Sequence, residues 1–257
     1  MTELATLSID GPTARLTLNR AEQRNAMSVG LLDALHARMD ELERETGVVV
    51  TVISGAGKAF CAGMDLKEIV VDKSAGGSGD ATLPRQLLES LGRLTLRVRS
   101  LPSVTVASVN GAAVGGGCGL ACVCDLAVTH ADAKLGFPEV DLGLCPAVVA
   151  PWLVRKIGAG KARAVLLRGG VMSGVDAHRV GFVDHLADDR AHLDEVVDAL
   201  VERLEQGGQS ALAATKGLLN ELDGSGDHDV IMRGAKLSSD VVLSDGAQAV
   251  LAVRLKR

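Results

Sequence analysis

The chain has 257 residues, of which 47% are hydrophobic and 23% charged, which suits a protein with a sizeable folded core and excludes a disordered one. Its net charge of −5, with three Phe, one Trp and no Tyr, removes tyrosine from any mechanism and argues against nucleic-acid binding, which draws on basic surface and stacked aromatics. The N-terminal MTELATLSID lacks the apolar core of a signal peptide, and the five cysteines, odd in number and set in or beside apolar segments, read as reduced core thiols, so a cytoplasmic protein is expected.

Residues 6–9 and 15–18 alternate around Asp10-Gly11-Pro12 and predict an opening hairpin. Ser28 is placed to cap a helix with apolar positions Leu31, Leu32, Leu35, Met39 and Leu42. Residues 48–53 predict a strand, ended by Gly55-Ala56-Gly57. The polar, glycine-rich segment KSAGGSGD at 73–80 predicts a surface loop, and a second helix is expected from about Pro84 to Arg99. From Leu101 to Cys124 the chain carries no charge. There Val104, Thr105, Val106 and Val109 predict a buried strand, Asn110-Gly111 a turn, and the residues after Gly117 a helix. Five glycines, a proline and an asparagine interrupt the stretch, which argues against a membrane span. Strand and helix alternate, so the fold class is α/β. Beyond Asp188 the patterns are helical only, at 193–204, 211–222 and 229–243, which divides the chain into an α/β core over 1–188 and a helical region over 189–257. The terminal VLAVRLKR either packs on another subunit or folds back on its own core.

Two glycine-containing turns each follow a strand: Phe60-Cys61-Ala62-Gly63-Met64-Asp65-Leu66 and Gly115-Gly116-Gly117. A helix N-terminus leaves N–H groups unpaired, and two such donors converging on one carbonyl oxygen make an oxyanion hole. Such a hole needs a proton-carrying partner, and Glu139, in the apolar Gly136-Phe137-Pro138-Glu139-Val140, is the best-placed acid. Asp141 is the neighbouring alternative and reads as a cap. The six histidines are scattered and read as structural, and Cys118, Cys122 and Cys124 have no His or acid at ligand spacing, so no metal is expected.

These pieces together resemble the enoyl-CoA hydratase/isomerase (crotonase) superfamily. The resemblance rests on Leu18-Asn19-Arg20-Ala21-Glu22-Gln23-Arg24-Asn25-Ala26, then Lys58-Ala59-Phe60-Cys61-Ala62-Gly63-Met64-Asp65-Leu66, then Asn110-Gly111 with Gly115-Gly116-Gly117, and spans nearly the whole chain. It implies a crotonase-like spiral of ββα units with a C-terminal helical trimerisation region, and a homotrimer or dimer of trimers. It also implies an acyl-CoA thioester as substrate, with no separate cofactor because coenzyme A is part of that substrate, and neither nucleic acid nor membrane as partner. The thioester carbonyl would be held by the N–H groups of Met64 and Gly116, with Glu139 as the catalytic acid. The adenine would lie against Ala62, Asp65 and Leu66, with Arg24 and Lys67 as phosphate contacts, and Ala26, Gly115 and Gly119 complete the expected substrate-binding set.

The sequence departs from the two-glutamate hydratase pattern, which has one glutamate two residues beyond the triple glycine and another twenty residues later. Gly119 stands at the first position and Glu139 at the second. Single-acid Δ3,Δ2-enoyl-CoA isomerases also resemble the chain. So do bacterial hydratases of the methylglutaconyl-CoA type, through Gly115–Leu120 and the 143–151 segment GLCPAVVAP. The AGMDLKE segment is similar to hydroxycinnamoyl-CoA hydratase-lyases, but the missing tyrosine disfavours that chemistry. The expectation is an enoyl-CoA hydratase-like enzyme, with the isomerase and a non-catalytic acyl-CoA binder as alternatives. The acyl pocket is expected to draw on the 69–83 loop and the C-terminal helices.

Overall fold

The computed structural model describes residues 3–70 and 82–255, and the glycine-rich segment at 73–80 lies outside them. The chain opens with β1 (Ala5–Asp10) and β2 (Thr13–Leu18), paired antiparallel as the hairpin expected from the alternation. Helix α1 (Val29–Leu42) follows. Ser28 Oγ accepts from Leu31 N at 3.2 Å, and Leu31, Leu32, Leu35, Met39 and Leu42 are its buried positions, so cap and apolar stripe sit where the 3.6-residue period places them.

Three strand pairs then wind through two sheets. β3 (Val50–Gly55) and β4 (Ala59–Cys61) are followed by α2 (Leu66–Ile69) and α3 (Thr82–Ser100). β5 (Val104–Val109) and β6 (Ala112–Val114) are followed by α4 (Gly116–Val123). β7 (Leu126–His130) and β8 (Lys134–Gly136) lead into a 3-10 turn at Pro138–Leu142. In each pair the first strand joins a six-stranded sheet, ordered β1-β2-β3-β5-β7-β10, and the second joins a four-stranded sheet, ordered β4-β6-β8-β9. The chain continues through α5 (Ala150–Ile157), α6 (Ala159–Arg168), β9 (Val171–Ser173), α7 (Gly174–Val180) and β10 (His185–Ala187). It ends in α8 (Leu193–Glu205), α9 (Gln209–Leu222), α10 (His228–Val242) and α11 (Asp245–Leu255).

Apart from β1-β2 and β8-β9, all pairings are parallel, and a parallel sheet is stable when both faces are covered. On one face Val50, Val52, Val106 and Val128 pack under Leu193, Val197 and Val201 of α8. On the other, Leu16, Ile53 and Ala107 join the main core with α1, α3 and α4. A buried ion pair docks α9: Lys216 Nζ lies 2.7 Å from Asp125 and donates to Ser103 O at 2.9 Å.

Two expectations shift. The strand expected at 48–53 runs from Val50 to Gly55, because six residues of β2 pair with it through Leu18↔Gly55. The helix expected after Gly117 begins at Gly116. The described part of the terminal segment ends α11, which meets its own core through buried Leu251 and through Gln248 Nε2, donating to Ile69 O at 3.1 Å, while Val253 is exposed. No helix among the described residues is long and apolar enough to cross a membrane.

Candidate active site

The four-stranded sheet brings the two glycine turns together, since β4 ends in one and β6, its parallel neighbour, ends in the other. A Cβ placed on Gly63 would stand 3.7 Å from the Gly116 nitrogen, and one placed on Gly116 would stand 3.8 Å from Met64 Sδ. The bridge between Met27 and Met64 is built from Met27 N–H to Gly63 O (2.8 Å) and Asp65 N–H to Met27 O (2.9 Å), which leaves the Met64 N–H outside it. Gly116 is the first residue of α4, where an N–H has no intrahelical acceptor and the helix dipole adds partial positive charge. Two uncommitted donors therefore lie side by side.

Glu139 reaches this place from the 3-10 turn. Phe137, fully buried, anchors one end, and at the other Leu144 N donates to Glu139 O at 2.8 Å. Gly115 has φ +55, and a Cβ there would fall 2.8 Å from Glu139 Oε1, so only glycine both adopts the turn and leaves room for the carboxyl. Glu139 is half-buried as a residue, but its Oε2 is shut off from solvent and has no hydrogen-bond partner. Burial pushes its pKa up to about 7, where the group both gives and takes a proton near neutrality.

Met64, Gly116 and Glu139 open on one cavity of about 340 Å³, walled by aliphatic residues such as Leu88, Leu91 and Val149. Of the residues expected to bind substrate, Ala62, Leu66 and Gly115 also line it. Arg24, Ala26, Asp65, Lys67 and Gly119 do not. Arg24 and Lys67 are exposed. The Arg24 carbonyl accepts from Ala62 N at 3.0 Å. The Ala26 carbonyl is taken by Arg20 at 3.0 Å. Asp65 caps α2 through Lys67 N and pairs with Arg20 at 2.7 Å. Gly119 is separated from the cavity by Val149.

Asp141 is not a cap. Its Oδ2 accepts from Gly170 N at 2.8 Å and braces the turn before β9, a contact across 29 residues that local sequence does not announce. Asp184 holds Lys156 (3.0 Å) and accepts from Ala127 N, a structural role. Burial pushes the Cys61 thiol up to about 12 and raises Cys118 as well, so both are inert thiols. Sequence reasoning missed three supports. The Asn25 side chain, fully buried, donates to the carbonyls of Ala59 (2.8 Å) and Phe60 (3.1 Å) and accepts from Arg20 N, clamping the Met64 turn. Its only signal was its place in the NRAEQRNA run. Ser238 accepts from the Ala147 and Val148 N–H groups and donates to Cys145 O, tying α10 to the cavity wall. Arg254 of α11 stands at the rim.

Residues 9–241 match the family model described as enoyl-CoA hydratase/isomerase. A Thermus thermophilus protein provisionally named an enoyl-CoA hydratase is 39% identical over 221 residues, covering 85% of each chain. An Alternaria alternata enoyl-CoA hydratase is 32% identical over 238 residues, covering 92% of this chain and 76% of its own. Among solved structures, an enoyl-CoA hydratase from Mycobacterium avium superposes with a TM-score of 0.85 at 28% identity, covering 100% of this chain and 97% of its own. One from Bacillus halodurans gives 0.88 at 22% identity over 97% and 99%, a likeness of fold.

Proposed function

Because the chain belongs to the enoyl-CoA hydratase/isomerase family, we propose that it acts on an acyl-CoA thioester as an enoyl-CoA hydratase-like enzyme, with one glutamate carrying the proton. The observation that carries this reading is the convergence of two uncommitted N–H groups, Met64 and Gly116, with an unpartnered, elevated-pKa carboxyl in one apolar cavity. The two N–H groups receive the thioester oxygen as it gains negative charge, and in a water-poor site such donors are worth several kcal/mol. Glu139 takes a proton from water as the water oxygen bonds to C3, and returns it to C2 of the enolate. Ala62 and Leu66 lie where the coenzyme would enter, with Arg24 and Lys67 on the outer surface for its phosphates. The five cysteines are free, which fits a reducing compartment such as the cytoplasm. Assembly as a homotrimer or dimer of trimers belongs to the same reading.

A second reading, double-bond migration, is favoured by the presence of one uncommitted carboxyl among the described cavity residues. A 1,3-proton shift needs a single group that takes and returns the proton. Glu139→Gln decides whether the acid is assigned correctly: turnover should fall by about 10²- to 10⁴-fold while acyl-CoA binding persists. Undiminished turnover would overturn the assignment. Incorporation of solvent oxygen into product separates hydration from migration.

A further inference from the structure

Gly119 lies one helical turn beyond Gly115, whose carbonyl accepts its N–H at 2.9 Å, so a side chain at 119 would leave α4 on the side of Gly115, where a Cβ would meet Glu139 Oε1 at 2.8 Å. That space is filled. A Cβ placed on Gly119 would fall 2.5 Å from Val149 Cβ and closer still to Val149 Cγ1. Val149 itself is 2% exposed and forms part of the cavity wall near Glu139. Nor can it swing aside. The preceding residues are held by Ser238, which accepts from Ala147 N (3.1 Å) and Val148 N (3.3 Å), and α10 lies against them where a Cβ on Gly234 would meet Val148 N at 3.3 Å.

The other polar side chains on the described cavity wall do not replace the missing group. Asp141 is turned to Gly170 N, and Ser238 is committed to backbone on both sides. Burial raises the Cys145 thiol, leaving it protonated, and Arg254 is a donor that accepts no proton. An isopropyl group thus stands where a second water-holding acid would otherwise fit, and it offers water no hydrogen bond.

We propose that Val149, locked against Gly119, is a specificity-determining residue that sets the balance between water addition and double-bond migration. The proposal rests on the enolate reading above. In migration, Glu139 removes a C2 proton from a 3-enoyl thioester, the resulting dienolate is held by the Met64 and Gly116 N–H groups, and the same proton returns to C4 as the double bond moves to C2–C3. No atom is gained or lost. In hydration, a water oxygen must also be placed at C3, and Val149 denies that water a second holder beside Glu139.

The test uses 3-enoyl- and 2-enoyl-CoA probes in ¹⁸O-labelled water, reading the ratio of labelled hydrated product to migrated product. Val149→Thr keeps the shape and adds a hydroxyl, and should raise the hydrated fraction by about fivefold or more. Gly119→Glu alone should lower Tm with no gain in hydration, whereas Gly119→Glu with Val149→Ala should recover Tm and hydrate best. A ratio unchanged within about twofold in folded Val149→Thr and in the folded double variant would overturn the proposal. So would a Gly119→Glu protein of wild-type Tm. Glu139-dependent breakage of the C2–H bond, read from C2-deuterated 3-enoyl- and 3-hydroxyacyl-CoA as label lost to solvent or moved to C4, distinguishes the two levels: breakage with an unchanged ratio sinks the role of Val149 alone, while no breakage in the wild type sinks the enolate reading and Val149's role with it.

Discussion

At the scale of single residues, Glu139 links stability to pH. Its carboxyl titrates near 7 in the folded chain because it is buried, and near an ordinary carboxylate value when unfolded. Between those values the folded state holds a proton that the unfolded state has released, so stability is full below the unfolded pKa and falls as pH rises through about 7. The loss should approach about 2 to 3 kcal/mol by pH 8, and subtracting the urea midpoints of Glu139→Gln from those of the wild type between pH 5 and 8 should isolate it from the histidines, where burial lowers the pKa of His36 and His130 and acts in the opposite direction. A difference that grows with pH would contradict the buried, unpaired carboxyl. Glu139 was legible in the sequence as an acid among apolar neighbours. Val149, Ser238 and Asp141 were not, because each acts through partners 29 to 93 residues away. Asn25 sat inside a legible motif, but its clamp depends on carbonyls 34 and 35 residues further on.

Among elements, α4 matters because its first N–H is uncommitted. Proline suits the first position of a helix and lacks that N–H. Gly116→Pro should therefore keep the helix while lowering turnover by about 10²- to 10³-fold, with acyl-CoA binding weakened less. Its ring meets Leu91 Cδ2, 3.1 Å from where the Cβ would lie, so an unchanged circular-dichroism spectrum is the control. Elements with a long period were visible beforehand: α1 with its Ser28 cap, α3, and the β-branched β5. The second sheet was not, since β4, β6, β8 and β9 are three residues each, too short to show an alternation. Those short strands nonetheless place both glycine turns, so the site's chemistry could be read before the sheet that assembles it.

For the whole molecule, apolar surface is left uncovered on the C-terminal helices. Leu218, Leu219 and Leu222 of α9 and Leu237 of α10 are all more than half exposed, as is Val253 of α11. Leu218, Leu219 and Leu222 lie within one turn of α9, and contiguous exposed apolar residues of that kind mark contact surfaces. In the proposed oligomer, Leu222→Glu, at a residue 75% exposed in the single chain, should leave the fold intact and shift the mass measured by light scattering toward the monomer. A mass unchanged from an oligomeric wild type would overturn Leu222 as a contact, and a monomeric wild type would overturn the oligomer itself. The packing of Gly119 under Val149 has a different consequence, one of history. A lineage carrying this pair cannot acquire an acid at 119 in one step, because the bulky neighbour must shrink first. Each change is harmful or idle without the other, so the order of substitutions is constrained and the acquisition is a two-step path with a fixed first move.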